Sequence, residues 1–245
     1  MFALLLLSFG VLAILAGRVD RARRLARFFA RQMLRLGGLP VSVSGLDRLP
    51  PAPHVLLANH TSFLDPIVLV ACLPPVPGYT YTTRRQHLLQ VLLWPFLHSL
   101  HTLILKPHTS GESGDHHHSV NVERMEAVLR RGDNLMVFPE GAFRPEPGLA
   151  PFHSGAFVAA AQAQVPIVVV GLRGARDALR LGTWRPRRAS LALEIGTVLQ
   201  PSGSDPRAIH ALMDEAYAAM VPLTGEPPRA GVHGWAHADD AHRRA

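Results

Sequence analysis

The run Val165-Pro166-Ile167-Val168-Val169-Val170 limits the fold more than any other stretch of this chain. It offers no alternation between a wet and a dry face, so it belongs to a strand covered on both sides, as in sheets with helices packed on each face. The remaining patterns supply such a sheet. Strands are expected near Val41 to Val43, Val55 to Ala58, Tyr79 to Thr83, His101 to Leu105, Asn134 to Phe138 and Ser190 to Ile195. Helices are expected from Pro66 to Leu73, Gln86 to His98, Val120 to Arg131, Ser154 to Ala163 and Asp205 to Met220. Strands alternating with helices give an α/β class with a largely parallel central sheet flanked by helices. The polar stretch Thr109 to Ser119, with His116-His117-His118, reads as a solvent loop, and no HExxH or paired-cysteine spacing supports a metal site there.

Phe2 to Ala16 is apolar apart from Ser8 and Gly10. As a helix it spans about 22 Å against a hydrocarbon core of roughly 30 Å. Arg18, Arg21, Arg23, Arg24, Arg27, Arg31 and Arg35 follow this run rather than precede it, which is the wrong order for a signal peptide. The expectation is an uncleaved anchor, re-entrant or marginally spanning, on the cytoplasmic face of a membrane. Val19, Ala22, Leu25, Phe29, Met33 and Leu36 then recur at helical spacing with arginines between them. Such a basic amphipathic helix suits the headgroup layer; the alternative is an ordinary helix packed on its own domain. Gly37-Gly38-Leu39-Pro40 breaks it, so the expected organisation is an anchor and basic helix over 1–36, a catalytic domain over 37–221 and a disordered tail over 222–245. The net charge of +7 calls for an anionic partner. Its concentration beside the apolar run favours membrane lipids, and nucleic acid is set aside because no zinc-finger spacing or aromatic ribonucleoprotein motif occurs. With Cys72 as the one cysteine, no disulfide forms within the chain.

Ligands of open α/β sheets sit beyond the carboxyl ends of the strands. The polar groups falling at such ends are His60 with Asp65, Arg84 and Arg85, Lys106, Glu140 with Arg144, and Arg173. In one helix, a spacing of five would hold His60 and Asp65 roughly 140° apart. In a strand-to-helix loop, with Asp65 as N-cap and Pro66 as first helical residue, the chain folds back and the carboxylate reaches the imidazole. A carboxylate on one ring nitrogen leaves the other to take a proton. A plain helix start is the bland alternative for this octapeptide. The surrounding cations suit a hydroxyl acceptor that carries a phosphate.

Four blocks in order resemble the glycerolipid acyltransferases that act on lysophosphatidic acid (1-acylglycerol-3-phosphate) and related acceptors. Asn59 to Asp65, NHTSFLD, is similar to the family's NHxxxxD block, which implies His60 as base and Asp65 as its orienter. LILKP resembles the second block, with Lys106 where an arginine is usual, and VFPEGAFRP resembles the third, which implies acceptor-binding roles for Glu140, Gly141 and Arg144. VPIVVVGLRG resembles the fourth, near the acyl donor, with Pro166 at the matching position. Ala142 replaces the usual threonine of the third block, and Arg144 is displaced by one residue. The resemblance implies direct acyl transfer from acyl-CoA or acyl-carrier protein to a lysolipid hydroxyl, with backbone N–H groups near the third block at the oxyanion and no cofactor or metal. Two rivals stand beside it: a thioester or lipid hydrolase that keeps the site with water as acceptor, and a non-catalytic membrane lipid-binding protein that has lost the activity.

Overall fold

The computed structural model describes residues 19–84, 102–106, 112–142, 144, 146–180, 182–183 and 185–228. The apolar segment Phe2 to Ala16, the helix expected from Gln86 and most of the expected tail lie outside them. In chain order the elements are α1 (Val19–Leu36), β1 (Val41–Ser44), β2 (Val55–Ala58), α2 (Asp65–Cys72), β3 (Tyr79–Arg84), β4 (Leu103–Leu105), α3 (Glu112–Arg130), β5 (Asn134–Val137), α4 (Gly155–Ala163), β6 (Ile167–Arg173), α5 (Ala175–Ala178), β7 (Leu191–Leu199) and α6 (Pro206–Thr224).

The strands form one sheet in the order β1-β7-β6-β2-β5-β3-β4. Neighbours are parallel except β6 and β7, which run antiparallel. Side chains of β2 and β6 alternate between two cores, as the pleat requires. Leu56, Ala58, Val168 and Val170 meet α1, α2 and α5, while Val55, Leu57, Ile167 and Val169 meet α3, α4 and α6. The apolar run that constrained the fold therefore lies between two helical layers, and β2 lies beside it at the centre. Loops leaving β5, β2 and β6 emerge side by side, which sets their first residues around one crevice.

Four expectations change. α3 begins at Glu112, so the segment carrying His116 to His118 is helical rather than a loop; its polar first turns have no apolar period to reveal them. α2 begins at Asp65 itself, with Leu64 as N-cap. α6 continues through Pro222 to Thr224, and Pro228 forms a bridge with Leu149, so the domain extends past Val221.

The fourth change concerns α1, which packs on the domain through Ala22, Ala26, Ala30, Met33 and Leu34. Three of its arginines turn inward. Arg23 donates to the carbonyl of Pro77 (2.6 Å), Arg27 to those of Ala71 and Cys72 (both 3.2 Å) and Arg31 to Ala71 (2.9 Å). Spaced by four, these side chains share one face; Arg27 and Arg31 supply donors and positive charge to the carbonyls ending α2, and Arg23 serves the loop before β3. Arg21, Arg24 and Arg35 stay exposed, together with Phe28 and Leu36. Among the described residues no helix is long and apolar enough to cross a membrane.

Candidate active site

β2 ends at Ala58, and the next residue fastens the site to the sheet. The Asn59 amide is fully buried; it donates to the carbonyl of Leu172 (3.0 Å) and accepts from the Leu172 N–H (2.7 Å). This pair locks the His60 loop to β6, since neither buried group can desert its partner without losing a hydrogen bond to nothing. The chain then folds back as the spacing of five required. Asp65 Oδ2 accepts from His60 Nδ1 (2.9 Å), Thr61 N (2.6 Å) and Ser62 N (2.8 Å). Asp65 is completely buried, and these three donors are what makes an ionised carboxylate tolerable there. An ionised carboxylate can only accept, so Nδ1 carries the proton and Nε2 the lone pair that takes the next one. The imidazole also stacks on Phe138, with ring centroids 4.0 Å apart and 14° between planes, which fixes its tilt. Its side chain remains 15% exposed, enough for an acceptor to reach it.

Glu140 arrives from the end of β5. One oxygen accepts from His60 N (2.7 Å) and the other from Ala150 N (2.9 Å). Burial raises its pKa by more than these two amides lower it. The residue therefore joins His60 to the base of the following loop. Gly141 likewise serves a turn. Its N–H bonds the carbonyl of Phe138 (3.0 Å) at φ +74°, a conformation open to glycine, and so is not available to an oxyanion.

Arg144 is exposed, and its guanidinium makes no hydrogen bond among the described residues. Its carbonyl accepts from Arg176 Nη1 (2.7 Å). Arg173 lies at the end of β6 and pairs with Glu194 of β7 (2.6 Å). Lys106 is exposed after β4, its backbone held by the Asn121 side chain. β4 is three strands from β2, roughly 14 Å across the sheet. Arg84 ends β3 between these positions, and Arg85 lies outside the described residues. Pro166 is placed at the opposite edge. Its carbonyl bonds Val55 N at the start of β2, about 17 Å along the strand from His60. The structure thus gathers His60, Asp65, Glu140 and Gly141, with Arg144 on the adjoining loop, and sets Lys106 and Pro166 apart. Asn59 and Phe138 complete the site. Both stood inside recognised blocks, but their partners come from distant strands and leave no trace in local spacing.

A family model described as Acyltransferase matches residues 40–173, more than half of the chain and all of this site except its C-terminal neighbours. The chain belongs to the acyltransferase family. Two relatives are a 1-acyl-sn-glycerol-3-phosphate acyltransferase of Saccharomyces cerevisiae, 33% identical over 65% of this chain and 52% of the relative, and the alpha form from Ovis aries, 26% identical over 86% of this chain and 71% of the relative. The chain thus spans about half the length of the yeast protein. A solved structure of the 1-acyl-sn-glycerophosphate (LPA) acyltransferase PlsC from Thermotoga maritima shares the fold. Its TM-score is 0.64 at 18% identity, covering 87% of this acyltransferase and 92% of that chain.

Proposed function

We propose that this acyltransferase moves a fatty acyl group from a thioester donor, acyl-CoA or acyl-carrier protein, to the free hydroxyl of 1-acylglycerol 3-phosphate, forming phosphatidic acid. The observation that carries the reading is the buried carboxylate holding the Nδ1 proton of a partly exposed imidazole at the end of β2. Nε2 takes the acceptor's hydroxyl proton as that oxygen attacks the thioester carbon. The imidazolium formed is stabilised by Asp65. The tetrahedral adduct then breaks its C–S bond, and the departing thiolate recovers the proton from His60, which returns the base to its starting state. No acyl-enzyme is needed. The names of the relatives support the acceptor, and the exposed Arg144 guanidinium suits its phosphate.

The substrate's two-tailed product resides in a bilayer, and we place the protein on the cytoplasmic surface of one. Phe2 to Ala16 and the exposed Arg21, Arg24, Phe28, Arg35 and Leu36 supply apolar and basic contacts of the right kind. The domain is assigned to residues 37–228, with α1 fastened to it.

The test incubates purified protein with each labelled donor and a panel of lysolipids differing in headgroup. Labelled phosphatidic acid from lysophosphatidate is expected. Free fatty acid as the only product makes the protein a hydrolase, and preference for an amine- or sugar-bearing lysolipid overturns the phosphate assignment.

A further inference from the structure

The segment from Gly141 to Leu149 contains Gly141, Pro145, Pro147 and Gly148, and its described residues belong to no helix. Left alone, such a stretch would spread Arg144 over many conformations, and a binding group that must be ordered by its ligand binds it weakly. Glu140 and Ala150 close the base of the loop. Its outer part is held by two chain segments distant in sequence. Arg176 on α5 donates Nη1 to the Arg144 carbonyl (2.7 Å) and Nε to Glu226 Oε1 (2.8 Å). The other oxygen of Glu226 accepts from Gly148 N. Beside it, Leu149 N donates to the Pro227 carbonyl (3.0 Å), and the buried Tyr217 hydroxyl donates to the Leu149 carbonyl (2.9 Å). Glu226 reaches this position because α6 stops at Gly225, whose φ of +67° turns the chain back over the loop.

We propose that Arg176 and Glu226 are positioning residues that clasp the Arg144 loop in the conformation that receives the acceptor phosphate. The proposal rests on the acceptor reading above. Each partner has one group on the loop backbone and one on the other partner, so loss of either removes one loop contact and the support of the other. Their side chains are largely buried, 19% and 14% exposed, which protects the pair from screening by salt. Arginine is required rather than any cation, because its fork reaches the carboxylate and the carbonyl together. The segment after α6 becomes part of the specificity apparatus rather than a tail.

The experiment compares wild type with Glu226→Ala, Arg176→Ala, Arg176→Lys and Arg144→Ala, and combines Glu226→Ala with Arg144→Ala. Expected are a rise of about tenfold in KM for lysophosphatidate, with kcat and donor KM within about threefold, in both alanine clasp variants and in the lysine variant. In the Arg144→Ala background, Glu226→Ala should add nothing, since it acts through a side chain already removed. Equal penalties in both backgrounds, or an unchanged acceptor KM, overturn the proposal. Hydrogen exchange separates this failure from that of the acceptor reading. Wild type that acylates no phosphate-bearing lysolipid overturns the acceptor reading, whereas Gly148 and Leu149 amides that remain as protected in Glu226→Ala as in wild type overturn the clasp.

Discussion

Asp65→Asn separates the electrostatic work of the aspartate from its structural work. The three donors that converge on Asp65 Oδ2 all require an acceptor, and an asparagine oxygen in the same place still provides one. The variant should therefore fold with its loop intact, within a few degrees of the wild-type Tm. What it lacks is the charge that stabilises the imidazolium. Charge centres about 4 Å apart at an effective dielectric of ~20 interact by roughly 4 kcal/mol. Proton transfer is incomplete in the transition state, so kcat should fall on the order of 10²–10³-fold. Asp65→Ala differs in kind. It strands the Thr61 and Ser62 amides in a buried loop, at about 1–3 kcal/mol each, and should lose stability as well as rate. The assay is steady-state phosphatidic acid formation beside a thermal melt of the same preparations. Asp65→Asn with kcat within fivefold of wild type refutes the imidazolium argument, and Asp65→Asn as unstable as Asp65→Ala refutes the division of roles.

Glu140→Ala should cost about 2–4 kcal/mol and lower Tm by roughly 5–10 °C, because two amides lose a charged acceptor while a burial penalty is relieved; activity should fall with it, as read by melting and turnover. His54 is buried and bonded to the Tyr79 hydroxyl (2.9 Å), and burial lowers its pKa below the ordinary 6.5. Below that value the unfolded chain takes a proton that the folded one refuses, so stability falls as pH drops from the ordinary value through the folded one. Urea midpoints at pH 7 and pH 5 should show a smaller drop in His54→Gln than in wild type. Gly171→Ala would set a methyl 2.5 Å from both Cβ and the carbonyl oxygen of Leu223, pushing α6 off β6, and should cost about 1–3 kcal/mol in a denaturant titration.

Strands with an unbroken apolar run were legible because burial on both faces leaves that mark in composition. Val55–Ala58 and the Val165 run both fall where expected, the latter starting two residues later as Ile167–Arg173. The fold-back of Asp65 on His60 was legible too, since a spacing of five leaves a loop as the productive geometry. Strand order was not, because periodicity records burial and says nothing about neighbours. The inward turn of Arg23, Arg27 and Arg31 was hidden for a related reason. Arginine at helical spacing reads as a solvated or lipid-facing surface, and only the carbonyls of Ala71, Cys72 and Pro77, distant in sequence, explain why these side chains turn to the domain. The backbone partners of Glu140 were not legible. A carboxylate beside a candidate base looks like a ligand group, whereas its two amide donors come from residues 80 and 10 positions away. The clasp at Glu226 carried no local signal at all, and a proline inside α6 at Pro222 argued for an early end to the domain.

The central claim is that His60 deprotonates the acceptor. Its most direct measurement is single-turnover formation of labelled phosphatidic acid from lysophosphatidate and labelled acyl donor by wild type and His60→Ala at matched folded concentration. The geometry predicts rapid transfer by wild type and a loss on the order of 10²–10⁴-fold in His60→Ala with an unchanged melting curve. Transfer by His60→Ala within tenfold of wild type would contradict it.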